Sequence, residues 1–330
     1  MKNFNEESQS LNKVLQTINK EYGANSIIDM NLKTSWQDNT ISSGSILLDQ
    51  IIGIGGYPKG RIIEIYGNES SGKTTLALHA IKSVQDNNGL AAFIDVEHAL
   101  DANYIEKIGI NLQQLIVSQP DSAEHALGIL EILVRSKLFS LIVIDSVAAL
   151  TPQIELDGEM SSQTIGVQAR LMSKALRKIN TYISQSNCLV IFINQIREKV
   201  GIIFGNPEIT PGGRALRFYA SLRLELKRSE QIINNNQLIG YKLKIKIVKN
   251  KVAVPFKTTI LDIYFDKGIC LMEEIITLAI QNNLLQKNGT WYNYGDEKIG
   301  QGREKVRDFL LSNNNLYSEI VTTIKKIIIK

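Results

Sequence analysis

The sequence predicts an α/β fold: a mainly parallel sheet covered by helices, with an N-terminal helix and a small α+β C-terminal domain. Three observations predict it. Between about residues 35 and 269, near-continuous apolar runs alternate with helical stretches, the pattern of a parallel sheet buried on both faces. The run Gly67-Asn68-Glu69-Ser70-Ser71-Gly72-Lys73-Thr74 sits between a β-branched stretch and a helical one. After residue 270 the pattern changes to short helices around an aromatic strand. The expected division is an N-terminal helix in 1–34, an α/β core over 35–269 and a small domain over 270–330.

Taken in order, residues 8–22 place Leu11, Val14, Leu15 and Ile18 on one helical stripe, and Gly23 is a helix stop. A helix this short must dock on something. Strands are expected at 61–66, 90–96, 115–118, 140–145 and 188–194, with helices at 122–136 and 167–185. Residues 221–227 and 241–248 alternate strictly, as antiparallel strands with one wet face do. Lys242, Lys244 and Lys246 share that face, and a solvated edge guarded by lysines is expected rather than a DNA groove. The last zone has helices at 271–281, 302–311 and 317–328 and a strand at Trp291-Tyr292-Asn293-Tyr294. Trp291 and Tyr292 read as core of the small domain rather than as a base-stacking platform.

Composition excludes several classes. A chain of 330 residues, 44% hydrophobic, supports one large domain plus smaller appendages. Its formal charge of +4, from 37 basic and 33 acidic residues, permits nucleic-acid binding without arguing for it. Lys, Asn and Ile abound throughout, which reads as compositional drift. Cys188 and Cys270 are the only cysteines, and both lie in apolar runs; they make neither a zinc site nor a disulfide framework. The N-terminus has no apolar signal core, and no run of about 18 apolar residues occurs. A cytoplasmic protein with no membrane partner is expected.

The chemistry centres on residues 67–74, which fit the phosphate-binding pattern G-x-x-x-x-G-K-[ST]. The glycines let several backbone N–H groups point at one phosphate. Lys73 supplies a point charge, and the Thr74 hydroxyl can ligate Mg²⁺. Thr75 opens the helix whose N-terminus faces the phosphates. A nucleotide and Mg²⁺ are the expected ligands. Asp145 ends an apolar strand, where a carboxylate can hold Mg²⁺ through water. Glu97 ends another strand, where ligands of open α/β sheets gather. It is either a base for an attacking water or a surface residue at a loop start. His98 beside it reads as a packing or hydrogen-bonding residue. Gln195 ends a third strand, where an amide can sense a γ-phosphate. Beyond it, residues 197–213 hold four glycines, Gly201, Gly205, Gly212 and Gly213, among Arg197, Lys199, Pro207 and Pro211, without clear periodicity. Glu155 to Gly166 is a second such stretch. Long loops in a compact domain are usually functional or disordered, and these two suggest a polymer-binding face switched by nucleotide.

Taken together, Gly67 to Thr74, Phe93 to Leu100, Val143 to Pro152, Ile191 to Arg197, Phe204 to Glu208, Phe218 to Ser221 and Val248 to Lys251 resemble bacterial RecA recombinase. The resemblance runs from the N-terminal helix to Lys298-Ile299-Gly300-Gln301-Gly302. It implies a RecA-like P-loop ATPase core and a DNA-dependent ATPase that forms a helical filament on single-stranded DNA. Such a filament pairs with homologous duplex DNA and exchanges strands in DNA repair, with ATP between subunits. By carry-over, Glu97 is the general base, Gln195 the γ-phosphate sensor and Lys73 the phosphate lysine. Asp101 and Tyr104 contact adenine, and Lys249 and Lys251 reach the neighbouring subunit's ATP. Loops at about 157–166 and 195–211 hold DNA, through Ile165, Arg170, Arg177, Arg197, Lys199, Phe204 and Gly212-Gly213. The N-terminal helix docks on the next protomer.

Departures from the family pattern qualify this. Ile165 stands where methionine is common, Ile203 precedes Phe204, and Pro211 and Arg214 also differ. The acidic C-terminal tail of many relatives is missing, so freer loading on duplex DNA is expected. Residues 229–240, with Asn234-Asn235-Asn236, look degraded in a region the family turns toward groove-bound partners. A role as co-protease for the SOS repressor is therefore carried over less firmly than recombination. Two rivals are a replicative hexameric helicase and a non-catalytic nucleotide-switched scaffold. The first is disfavoured by the N-terminal helix, the small C-terminal domain and the Lys249/Lys251 pair. The second is disfavoured by the intact Lys73, Thr74, Asp145 and Glu97.

Overall fold

The computed structural model describes residues 2–23, 26–27, 39–159, 166–198 and 208–328. The chain forms two compact units, Met1–Ser35 and Trp36–Lys330. The first is built on α1 (Lys2–Tyr22), which starts earlier than the apolar stripe alone predicts. Gly23, at φ 102, ends it, and its N–H returns to the Asn19 carbonyl. Leu11 and Val14 are exposed on this helix, so the stripe carries apolar surface that is still to be covered.

The second unit opens with β1 (Thr40–Ile41), α2 (Ile46–Ile52) and β2 (Tyr57–Pro58), with β1 and β2 antiparallel. Ser45 caps α2 by accepting from the Leu48 N–H. Alternation follows: β3 (Ile62–Gly67), α3 (Lys73–Asp86), β4 (Leu90–Asp95), α4 (Ala102–Ile108), β5 (Leu115–Ser118) and α5 (Ala123–Ser136). Then come β6 (Phe139–Asp145), α6 (Gln153–Leu156), α7 (Val167–Ser186) and β7 (Leu189–Gln195). Two short strands, β8 (Arg197–Glu198) and β9 (Glu208–Ile209), precede α8 (Ala215–Tyr219). The chain continues through β10 (Leu222–Asn234), β11 (Gln237–Asn250), β12 (Thr258–Tyr264) and β13 (Gly268–Ile269). It closes with α9 (Leu271–Gln281), β14 (Gln286–Asn288), β15 (Trp291–Tyr294), β16 (Glu297–Gln301), α10 (Arg303–Ser312) and α11 (Asn314–Ile328).

One nine-stranded sheet, in the order β13-β12-β11-β10-β3-β7-β6-β4-β5, organises the unit. From β10 to β5 every pairing is parallel; from β10 to β13 every pairing is antiparallel. Alternate residues of each central strand enter opposite cores, as a period of two requires. On β7, Leu189, Ile191 and Ile193 join one core, while Val190 and Phe192 join the other. Helix α3 fills the first. Met172, Leu176 and Ile179 of α7 fill the second, with Leu127 and Leu130 of α5. The first core continues into the C-terminal segment through Ile275, Tyr292, Ile299, Leu310 and Ile324.

Several expectations need correction. Strand β11 lies between β10 and β12, so its lysines do not guard an edge. They occupy the wet face of an interior strand whose other face, Leu243, Ile245 and Ile247, is fully buried. Residues 229–240 still pair as strand, with register shifts at Arg228/Gln231 and Ile232/Ile233. Strands β10 and β11 run on to an Asn234–Gln237 pair, and Asn235 and Asn236 turn the corner at φ 47 and 61. Two successive left-handed residues make the tight hairpin turn that suits strand twist, and Asn tolerates it. The stretch 197–213 is also less irregular than it reads, because Arg197 pairs with Ile209 and Glu198 with Glu208. Tyr292 is core as expected, but Trp291 is 41% exposed beneath the Lys298 ammonium.

Candidate nucleotide site and nucleic-acid interface

The phosphate loop joins the carboxyl end of β3 to the N-terminus of α3. Its conformation explains its glycines. Gly72 sits at φ 83, and a β-carbon there would come 2.7 Å from the Tyr241 hydroxyl. A β-carbon on Gly67 would run into the Leu226 carbonyl oxygen. Asn68, Glu69 and Ser70 are exposed, whereas Ser71, Lys73 and Thr75 are buried. Lys73 Nζ donates to the Asn68 carbonyl at 2.7 Å. Burial lowers its pKa, against the pull of Asp145 and Glu97. Among the described residues the buried Ser71 hydroxyl has no hydrogen-bond partner, so it and the Lys73 ammonium supply donors in a loop whose sequence pattern binds phosphate. That donor set fits a polyphosphate.

Beside it, Thr74 Oγ1 donates to Asp145 Oδ2 at 2.6 Å. Burial pushes the Asp145 carboxyl up to about 6; the Thr74 bond opposes this and the Glu97 charge adds to it. A hydroxyl and a carboxylate side by side suit Mg²⁺, which takes one or two protein oxygens and completes its shell with phosphate and water. Thr74 and Asp145 would hold the ion; bound there, it would neutralise charge on the phosphates.

Glu97 lies two residues beyond β4, exposed, in a turn held by Asp95. The buried Asp95 carboxylate accepts from the N–H groups of Ala99 and Leu100 and from Gln119 Nε2. Three strand ends then converge on Glu97. The Ser146 hydroxyl, after β6, donates to its Oε1, and Gln195 Nε2, from β7, donates to the same oxygen at 3.0 Å. His98 is not a packing residue; it is exposed and left-handed at φ 54. Asp101 caps α4, accepting from Asn103 and Tyr104 N–H, and the Tyr104 hydroxyl lies 3.0 Å from Thr75 Oγ1. This places an aromatic ring beside the start of α3.

A second network supports the site from beneath. Glu64 is fully buried in β3; Arg223 Nε donates to it at 2.5 Å, and the guanidinium lies over the Tyr66 ring. Asn194 Nδ2 donates to Glu64 at 3.0 Å and to the Pro211 carbonyl at 3.1 Å.

Two family models match the chain. The family described as RecA N-terminal domain matches residues 9–270, and the RecA C-terminal domain matches residues 273–328. The chain belongs to the RecA family. It is 54% identical to Protein RecA of Mycoplasma mycoides over 321 residues, covering 97% of this chain and 93% of that protein. Protein RecA of Mesoplasma florum is 55% identical, covering 98% and 97%. Protein RecA of Bacillus subtilis is 53% identical, covering 96% and 91%.

Against the RecA resemblance, the remaining residues fall as follows. Arg170 and Arg177 are exposed on α7, seven residues apart and so on one face. Arg197 is exposed at the start of β8. Gly212 and Gly213 adopt φ 82 and 76 against Val147 and Ala169. Ile165, Lys199 and Phe204 lie outside the described residues. Lys249 and Lys251 donate to the carbonyls of Arg217 and Phe218 at the end of α8. Among the described residues no hydrogen bond joins them to the phosphate loop of their own chain. Burial, then Lys251, lowers the Lys249 ammonium to about 8. Sequence reasoning missed Asp95, Ser146, Asn194 and Glu64. Asp95 is itself a carboxylate at the end of β4 and Ser146 adjoins the one that ends β6, which is a usable signal; Glu64 inside an apolar strand is another.

Proposed function

We propose that the chain is an ATP-dependent recombinase that polymerises as a helical filament on single-stranded DNA, pairs it with homologous duplex and exchanges strands in DNA repair. Family membership supports the role in recombination and repair. The observation that carries the ATPase reading is the junction at Glu97. A carboxylate able to take a proton from water sits against an amide, Gln195, that leads into the stretch assigned to DNA. Lys73 and the loop N–H groups bind the phosphates, Thr74 and Asp145 hold Mg²⁺, and Tyr104 with Asp101 lines the adenine side. Arg170, Arg177 and Arg197 supply charge toward the DNA backbone. The protein acts in the cytoplasm.

ATP turnover measured with and without single-stranded DNA tests this reading, together with electron microscopy of the products. Stimulated turnover and open filaments support it. Closed rings would favour a helicase, and DNA-independent binding without turnover a scaffold. Co-protease action on an SOS repressor belongs to the same reading, favoured by a β10–β11 hairpin that stays paired to its Asn234–Gln237 end. Repressor self-cleavage in the presence of filaments, ATP and DNA measures it.

A further inference from the structure

We propose that Gln168 is a positioning residue that couples the nucleotide site to the bases of both DNA loops. The inference rests on the recombinase reading above and adds a residue and a route to it. Gln168 lies in the first turn of α7, just after the first of those loops. Its Nε2 donates to two carbonyls, Val147 and Leu150, at 2.9 Å each. Its Oε1 accepts from the Gly212 N–H at 3.2 Å. One side chain thus ties the foot of the first loop to the foot of the second through a 3-10 turn, Val147–Ala149.

That turn is no neutral anchor. It follows Asp145 and Ser146 directly, and these two residues bond Thr74 and Glu97. A shift at the phosphates that moves the end of β6 moves the two carbonyls that Gln168 holds. Packing makes the connection stiff. A β-carbon on Gly212 would lie 2.7 Å from Val147 Cγ1, and one on Gly213 would lie 2.8 Å from Ala169 Cβ. On the other side Pro211 is held by Asn194, the neighbour of Gln195. Consecutive residues 211 and 212 are therefore held by two amides, one beside the end of β7 and one reading the turn after β6. The chemistry demands an amide at 168. A glutamate could accept from Gly212 but could not donate to either carbonyl, and an apolar side chain could do neither.

Coupling differs from mere support in what it predicts. If Gln168 only props up the loops, its loss weakens DNA binding equally in every nucleotide state. If it couples, its loss shrinks the ratio between states, and by linkage the effect of DNA on nucleotide affinity shrinks by the same factor. The experiment measures the Kd of a fluorescent single-stranded oligonucleotide with a slowly hydrolysed ATP analogue and with ADP, for the wild type and Gln168→Met. Methionine keeps the length and removes all three hydrogen bonds. A wild-type ratio in the allosteric range of about 5–150-fold should fall at least about fivefold, or to one, in the variant. An unchanged ratio, whatever the absolute affinities, overturns the coupling while leaving the recombinase reading intact. A wild-type ratio of one overturns the nucleotide switch and the coupling together. Should the variant not fold, amide exchange of wild-type residues 208–214 decides. Protection at Gly212 that differs between ATP analogue and ADP supports the route, and identical protection overturns it.

Discussion

The Gln195 side-chain amide donates to the Glu97 carboxylate at 3.0 Å, joining the far ends of β7 and β4 across the sheet. A residue able to activate water and a residue able to sense a γ-phosphate thus share one hydrogen bond. Glu97→Gln keeps an acceptor for Gln195 and Ser146 but removes the base. ATP binding should persist, while DNA-stimulated turnover falls by about 10²–10⁴. Single-turnover hydrolysis with ATP binding measured in parallel checks this; a rate within twofold of wild type would mean that another group acts as base.

Lys73 is buried at the mouth of α3 and already bonded to the Asn68 carbonyl. Lys73→Ala should therefore leave the loop folded but strip the phosphate charge. The expected outcome is loss of ATP-induced thermal stabilisation and of turnover. Near wild-type turnover in this variant would refute the phosphate-loop assignment.

Lys249 and Lys251 bear on whether the active site is shared between subunits. Neutralising both should preserve nucleotide binding by the monomer and remove DNA-stimulated turnover. Mixing that double variant with Glu97→Gln should restore part of the turnover, because some mixed interfaces carry one intact set of each. Filaments that form at every mixing ratio without any rescue would count against composite sites. A control is needed at α8, whose terminal carbonyls these lysines hold; circular dichroism of the double variant supplies it.

Glu274 makes the fold itself sensitive to pH. Burial raises its carboxyl from 4.5 to about 8, even though it accepts from the Leu47 N–H at 3.2 Å. Among the described residues its Oε1 has no hydrogen-bond partner, and Asp49 nearby is raised to about 6, again by burial. Between pH 4.5 and 8 Glu274 holds its proton in the folded chain and loses it in the unfolded one, so its contribution to stability is full below that window and is lost as pH rises through it. The slope from one such group is at most about 1.4 kcal/mol per pH unit. Glu274→Gln keeps the acceptor for Leu47 and abolishes the titration. Urea unfolding at pH 5, 6.5 and 8 should show the variant gaining on the wild type toward pH 8. Parallel curves would place the pH dependence elsewhere.

The sheet was legible because apolar strands covered on both faces leave little choice of partner environment. The phosphate loop was legible because it is local: eight consecutive residues carry it. What the sequence hid was mostly non-local. The lysines of β11 share a face whether the strand lies at an edge or inside, and only the pairing of β12 decides. The 229–240 stretch read as degraded because Asn is a poor strand residue, yet Asn235 and Asn236 are suited to the turn that makes the hairpin. Trp291 reads as core beside Tyr292, whereas it is exposed with the Lys298 ammonium over its ring. Gln168 lies in none of the motifs, and Asn194 lies inside one whose chemistry points to its neighbour Gln195; the importance of both arises from the distant groups they bond.

The buried pair of Glu64 and Arg223 constrains how this sequence can change. Removing the guanidinium alone leaves a carboxylate in the centre of the sheet without its cation, at about 3–5 kcal/mol. That is a large part of the roughly 5–15 kcal/mol that holds a typical domain folded. Lysine would restore the charge but lose the planar group that both bonds Glu64 and covers Tyr66. Single-step mutational paths away from either residue therefore pass through poorly folded intermediates, and the two positions should be inherited together. The tolerance of position 223 is therefore set by its buried partner Glu64.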